Sequence, residues 1–276
     1  MLKKFTKMHG AGNDYIYFDC LKEEFPDPSS AAVRLSDRHK GIGGDGIVLI
    51  CPSSVAYARM RMFNADGSEG NMCGNAIRCV GKYLFDNGIV KKHSLDIETK
   101  SGIKHLFLYE KDGKTDRVRV DMGAASFEPQ AIPVRSSQPI VGKRMDVAGG
   151  EYEITCVSMG NPHCVLFLPP DDLDLEKLGP KFENDPLFPE RVNTEFVQKI
   201  GENALKMRVW ERGSGETMAC GTGACAAAAA ACACGICERG KDILVRLRGG
   251  DLVINVSDTV TMTGEAVTVF TGEIEL

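Results

Sequence analysis

The sequence predicts an α/β (α+β) chain of two similar halves, rich in strands, with a few buried helices. Three observations carry this expectation. Short Val- and Ile-rich runs recur along the 276 residues, punctuated by Gly, Asn and Asp. A set of turn and cysteine motifs occurs twice, in one order and at nearly one spacing. The stretch Thr222–Cys237 is almost wholly small and apolar, so a sheet can wrap it at close range.

In chain order, the strand candidates are Ile47–Cys51, Tyr57–Phe63, Leu95–Thr99, Leu106–Glu110, Val118–Met122, Glu153–Ser158 and Cys164–Leu168. They continue with Leu205–Glu211, Ile243–Leu247, Leu252–Val256, Val260–Thr263 and Ala266–Phe270. The helix candidates are Ser30–Arg38, Asn75–Asn87, Leu173–Glu183 and Thr222–Cys237, with Gly88 as a stop for the second.

The repeat is weak residue by residue and consistent in spacing. Gly12-Asn13-Asp14-Tyr15-Ile16-Tyr17-Phe18 resembles Gly160-Asn161-Pro162-His163-Cys164-Val165-Leu166-Phe167. Asn64-Ala65-Asp66-Gly67-Ser68-Glu69 leads to Cys73-Gly74, as Glu211-Arg212-Gly213-Ser214-Gly215-Glu216 leads to Cys220-Gly221. Asn13 precedes Cys73 by 60 residues and Asn161 precedes Cys220 by 59; Asn64 and Glu211 each precede their cysteine by 9. In each half, a strand runs through a Gly-rich turn to a cysteine and then into a helix.

Composition excludes several classes. Hydrophobic residues are 43% and charged residues 26%, ordinary for a soluble protein. A net charge of −5 and a pI near 5.6 argue against a nucleic-acid partner or a polybasic membrane surface. No apolar run approaches the roughly 20 residues of a membrane span. The N-terminal MLKKFTKMHG has no apolar core of a signal peptide. Eleven cysteines without an export signal fit reduced thiols in a cytoplasm better than a disulfide framework.

Cys73 and Cys220 stand out among the eleven. Each precedes a helix, and a helix N-terminus offers unpaired N–H groups and partial positive charge. Such a site lowers a thiol pKa from about 8.5. The glycine that follows each lets a carboxylate approach the backbone donors. If the two halves face each other, two thiols flank one carboxylate slot. One thiolate can then remove an α-proton while the opposite thiol returns one, inverting the carbon. A single such cysteine reads more readily as an ordinary buried turn residue; two at repeat-equivalent positions do not.

The segments MHGAGNDY, FNADGSEGNMCGNAIRC, GNPHCV, VNTEF and ERGSGETMACGTGACA resemble the diaminopimelate epimerase family of cofactor-independent racemases and epimerases. The match runs in order over nearly the whole chain. The proline racemase branch usually shows Cys-Gly-His at the first cysteine, and this chain has Asn75 there. The resemblance implies two pseudo-symmetric halves, each a mixed, largely antiparallel sheet wrapped around a central helix. The expected boundaries are 1–121 plus 264–276 for the half carrying Cys73, and 122–263 for the half carrying Cys220. It implies Cys73 and Cys220 as the two bases, and Gly74, Asn75, Gly221 and Thr222 as donors to the reacting carboxylate. Asn13, Asn64, Asn161 and Asn193 correspond to a polar cage. Arg212 corresponds to the partner of the distal carboxylate, Glu211 and Arg212 to neighbours of the ammonium group, and His163 and Glu211 to groups that tune the thiols. The implied reaction interconverts LL- and meso-2,6-diaminopimelate, in lysine and cell-wall precursor synthesis, with no cofactor, no metal and a homodimeric enzyme. A related racemase acting on proline-like or other amino acids is the alternative.

Two positions depart from the family pattern. Gly46 stands where many relatives carry Gln, so its place among the substrate contacts has no side chain behind it. Phe270 stands where relatives often have a Tyr linked to the dimer contact. Two further motifs read as decoys. Gly41-Ile42-Gly43-Gly44-Asp45-Gly46 precedes a strand rather than opening a helix, against a dinucleotide site. Cys234-Gly235-Ile236-Cys237 closes a helix, where the dipole raises a thiol pKa, against a redox pair.

Overall fold

The structure, a computed structural model, describes residues 2–276. The chain divides into two compact units: Met1–Asp121 with Thr263–Leu276, and Met122–Met262.

The first unit begins with β1 (Leu2–Gly10) and β2 (Asn13–Asp19), followed by α1 (Pro28–Ser36), β3 (Gly46–Cys51), β4 (Ala58–Asn64) and β5 (Glu69–Gly70). It continues with α2 (Gly74–Asp86), β6 (Ser94–Thr99), β7 (Gly102–Lys111) and β8 (Lys114–Asp121). The second unit runs β9 (Lys143–Val147), β10 (Gly150–Ser158), β11 (Pro162–Phe167), α3 (Leu175–Glu183), β12 (Asn193–Gly201), β13 (Ala204–Glu211) and β14 (Gly215–Glu216). It then forms α4 (Gly221–Ala233), β15 (Asp242–Arg246), β16 (Asp251–Val256) and the start of β17 (Val260–Glu265). After β17, β18 (Val267–Glu275) belongs to the first unit and pairs antiparallel with β1.

The pairing scheme is the same in both units. β1–β2, β3–β4, β6–β7 and β7–β8 are antiparallel, whereas β2–β3 and β4–β6 are parallel. Likewise β10–β11, β12–β13 and β15–β16 are antiparallel, whereas β11–β12 and β13–β15 are parallel.

α2 packs on β1, β2, β7 and β8, and α4 on β10 to β13, β15 and β16. α1 packs on β3 and β4, and α3 on β12 to β14. Strands covered on both faces read as continuous burial rather than alternation, and Ile47–Ile50 and Asn193–Val197 are buried throughout. In α4, Ala224–Ala231 are all buried, and only such small side chains let so many strands approach one helix. Gly81 serves the same end in α2: an added Cβ would lie 2.9 Å from Leu106 and 3.0 Å from Leu108.

Several strands escape the sequence patterns. β1 and β2 lie in a segment whose lysines and turn residues mask the alternation, yet Lys7 is buried and pairs with Asp14 at 2.6 Å. β12 carries Asn, Thr and Glu in a buried strand, and β9 is largely exposed. The alanine helix stops at Ala233, short of the expected Cys237, with Cys234 as its cap.

Candidate active site

In the first unit, Cys73 is the N-cap of α2, with extended φ −130° and ψ 121°. Its sulfur accepts from the Ala76 N–H at 3.5 Å, the bond a capping oxygen makes in other helices. The thiol donates to Asn13 Oδ1 at 3.3 Å. Asn13 opens β2, which packs beside α2. Asn75 Nδ2 donates to the same Asn13 oxygen at 3.4 Å. Gly74 opens the helix, and both Gly74 and Asn75 are buried. Asn64 ends β4 and pairs with Gly46, while its amide donates to Ser68 Oγ at 3.0 Å. Gly46 begins β3 beside Tyr15. A Cβ there would collide with the Phe63 carbonyl oxygen, so this backbone admits no side chain and offers only its own peptide groups.

The second unit repeats the arrangement with different chemistry. Cys220 caps α4 with φ −112° and ψ 111°, and its sulfur accepts from the Gly223 N–H at 3.3 Å. Thr222 Oγ1 lies 3.5 Å from that sulfur and accepts from Asn161 Nδ2 at 3.3 Å. Gly221 is the first residue of the helix and is buried. His163 and Glu195 are fully buried, with Nδ1 and Oε1 2.7 Å apart, and His163 Nε2 meets Asn161 Oδ1 at 3.0 Å. Asn193 pairs with His163 across parallel strands and accepts the Arg212 N–H at 2.9 Å. The Arg212 guanidinium donates to the Glu190 carbonyl at 2.8 Å. Glu211 accepts from the Thr217 hydroxyl. Burial raises the Glu211 carboxyl pKa, against the donors Thr217 and Cys220.

The expectation that both helix-end thiols are acidified does not hold for Cys220. Burial pushes its pKa well above the ordinary thiol value, and the carboxylates of Glu211 and Glu195 push further. Thr222 and the Gly223 N–H act the other way and do not prevail. A helix end lowers a thiol pKa only where desolvation and neighbouring negative charge are smaller.

Among the described residues, no group of three or more His, Cys, Asp or Glu could hold a metal, and no helix is long and apolar enough to cross a membrane. Cys234 lies 3.4 Å from Thr155 Oγ1, and Cys234 and Cys237 are both free thiols.

A family model described as diaminopimelate epimerase matches residues 5–128 and 155–273. The chain is 54% identical over 278 residues to a diaminopimelate epimerase of Acetivibrio thermocellus, covering 99% of both chains. The chain belongs to the diaminopimelate epimerase family. Other diaminopimelate epimerases that it resembles come from Desulfovibrio desulfuricans, at 53% identity over 98% of this chain and 97% of that one, and Methanococcus maripaludis, at 49% over 99% and 100%. Among solved structures, a hydroxyproline epimerase from Agrobacterium vitis superposes with a TM-score of 0.67 at 17% identity, covering 99% of this chain and 92% of that one. A PhzF-family phenazine biosynthesis protein from Bacillus anthracis gives 0.70 at 16% identity over the whole of both chains. At such identities the likeness concerns the fold alone.

In this member of the diaminopimelate epimerase family, three residues join the clusters without standing out as motif residues. Glu195 lies inside the VNTEF segment and meets His163. Asp45 lies in the Gly-rich segment that mimics a dinucleotide fingerprint, and its Oδ2 accepts from Asn13 Nδ2 at 2.6 Å. Arg78 is fully buried in α2, and its Nη2 donates to Asn75 Oδ1 at 3.0 Å. A charged residue amid the apolar residues of a buried helix is the one sequence signal for Arg78.

Proposed function

We propose that the chain interconverts LL- and meso-2,6-diaminopimelate by a two-base mechanism in which Cys73 and Cys220 exchange the α-proton. The observation that carries this reading is the matched pair of caps: each sulfur is held by the third N–H of its helix, beside a glycine. One sulfur takes the α-proton as thiolate and the other supplies a proton as thiol. The developing negative charge spreads into the substrate carboxylate, where peptide donors at Gly74, Asn75, Gly221 and Thr222 receive it. The raised pKa of Cys220 supports its starting as the proton donor. Asn13, Asn64, Asn161 and Asn193 each carry both a donor and an acceptor, which suits an amino acid bearing ammonium and carboxylate groups. Arg212 is the proposed partner of the distal carboxylate, and Glu211 of an ammonium group. His163 with Glu195, and Glu211, set the charge around Cys220. Gly46 takes part through its backbone only. The proposed enzyme needs no cofactor and works in the cytoplasm as a homodimer. Phe270, 46% exposed on β18 and edge-on to Phe5 at 5.9 Å, is available to such a contact.

The test is incubation with LL-diaminopimelate in D₂O without added cofactor. Deuterium is expected at one α-carbon as the meso isomer forms. Exchange of proline or 4-hydroxyproline in place of diaminopimelate would favour the alternative substrate class, against which Asn75 and Arg212 already argue.

A further inference from the structure

We infer that Asp45 and Arg78 are positioning residues that fix the polarity of the hydrogen-bond chain Arg78–Asn75–Asn13–Asp45, whose Asn13 oxygen faces the Cys73 thiol. Its catalytic meaning rests on the proposed acid–base role of Cys73.

The chain is anchored at both ends by groups with no choice of role. A guanidinium only donates and a carboxylate only accepts. Arg78 donates through Nη2 to Asn75 Oδ1 at 3.0 Å, through Nη1 to the Gly74 carbonyl at 3.1 Å and through Nε to the Glu265 carbonyl at 3.1 Å. The Asn75 oxygen is therefore committed to Arg78, and its NH₂ is left to face Asn13 Oδ1. At the other end, Asp45 Oδ2 accepts from Asn13 Nδ2 at 2.6 Å and from the Asp14 N–H at 3.1 Å. Arg38 holds the second Asp45 oxygen at 3.0 Å. The Asn13 NH₂ is thus committed to Asp45, and its oxygen is turned to Cys73 at 3.3 Å. Each amide has one permitted orientation, and the pair presents an acceptor to the thiol.

Without Asp45, the Asn13 amide could turn over and offer NH₂ to the sulfur; without Arg78, the Asn75 amide could turn over in the same way. Turning Asn13 over would favour thiolate over thiol and remove the acceptor that aims the S–H. The device is not a general demand of the fold. In the second unit, Asn161 is tied to Thr222 and His163, and the position matching Arg78 is Cys225. Other titratable groups close enough to feel charge on Cys73 are Arg78, Tyr17 and Cys79, all buried. Asp14, Arg38 and Lys7 join Asp45 in one ion-pair cluster.

The experiment follows Cys73 in the full-length, substrate-free protein by iodoacetamide alkylation across pH, with peptide mass mapping, alongside kcat and KM on LL-diaminopimelate. Asp45→Asn should move the Cys73 alkylation midpoint down by about one pH unit, the size of one hydrogen bond. It should lower kcat more than it raises KM. Asp45→Glu retains an obligate acceptor and should stay near the parent midpoint. Asn13→Ala combined with Asp45→Asn should give the midpoint of Asn13→Ala alone. The same downward shift in that background would show Asp45 acting by charge alone and would overturn the inference, as would no shift in Asp45→Asn. If Asp45→Asn does not fold, Asp45→Ala with and without Asn13→Ala carries the test: a downward shift is expected only where Asn13 is present, and equal shifts in the two backgrounds overturn it. Because alkylation needs no substrate, a protein inactive on diaminopimelate that still shows the coupled shift would defeat the substrate assignment and support the hydrogen-bond polarity.

Discussion

Replacing Gly223 by Ala should destabilise the protein, although the position lies in a helix. Gly→Ala inside a helix ordinarily gains about 1 kcal/mol. Here the new Cβ would sit 2.7 Å from Glu195 Oε1 and 3.2 Å from Cys220 Sγ. Glu195 cannot retreat cheaply: it is fully buried, and the same oxygen is held by His163 at 2.7 Å. Overpacking of this kind costs roughly 1–3 kcal/mol, which cancels or exceeds the helix gain. The expected net loss is about 0–2 kcal/mol, or up to several degrees in melting temperature. Turnover should fall, because the new methyl group presses on both the carboxylate held by His163 and the Cys220 sulfur. The matching residue in the first unit is Ala76, also the third residue of its helix, and the strand position matching Glu195 is Val48. Shortening the carboxylate by Glu195→Asp should therefore reduce the cost of Gly223→Ala, a coupling that a double-mutant cycle measures. A higher melting temperature with full activity in Gly223→Ala would show that the pocket has room to spare and that the packing argument is wrong.

Gly46→Gln should lower the melting temperature, because any side chain there meets the Phe63 carbonyl; an unaffected melt would contradict the strand geometry. Arg212→Met should raise KM for diaminopimelate about 10- to 100-fold while leaving the fold intact, as loss of a charged hydrogen-bonding pair would. Unchanged KM would place the distal carboxylate elsewhere. Thermal stability should fall on the alkaline side. Burial pushes Cys79 up to about 11, and Cys164 and Cys220 are raised by burial too. Unfolded thiols lose their protons from about pH 8.5 while these folded ones keep theirs, so the unfolded state binds fewer protons and gains. Melts from about pH 7 to 10.5 should show the loss, near 1.4 kcal/mol per pH unit from Cys79 alone once the unfolded thiol has ionised; a flat or rising profile would count against it.

Much of the candidate site is legible in the sequence because its residues lie at turns. Asn13 and Asn64 mark turns between strands, Cys73 and Cys220 mark the passage from strand into helix, and such punctuation survives in a linear pattern. The repeat alone makes Cys73 and Cys220 equivalent, and the two units carry matching strand registers. What stays hidden is polar chemistry inside buried strands. Glu195 sits in β12, where Asn-Thr-Glu gives neither an alternating nor an apolar signal, and its partner His163 is 32 residues away in sequence. Lys7 reads as one of several N-terminal lysines. Only the folded register, which sets Asp14 against His9 of β1, explains how Lys7 can be buried. The raised pKa of Cys220 is not readable from its helix end, because its main cause is burial in the fold and the carboxylates that add to it come from β12 and β13.

Cys73 and Cys220 are proposed as the two acid–base groups of one epimerisation. Making Cys73→Ala and Cys220→Ala separately, and following LL- and meso-diaminopimelate in D₂O, decides this most sharply. Each variant should lose epimerisation by roughly 10²- to 10⁴-fold, the contribution of a positioned acid–base group, with circular dichroism unchanged. Near-native turnover in either variant would show that its thiol is not one of the two bases.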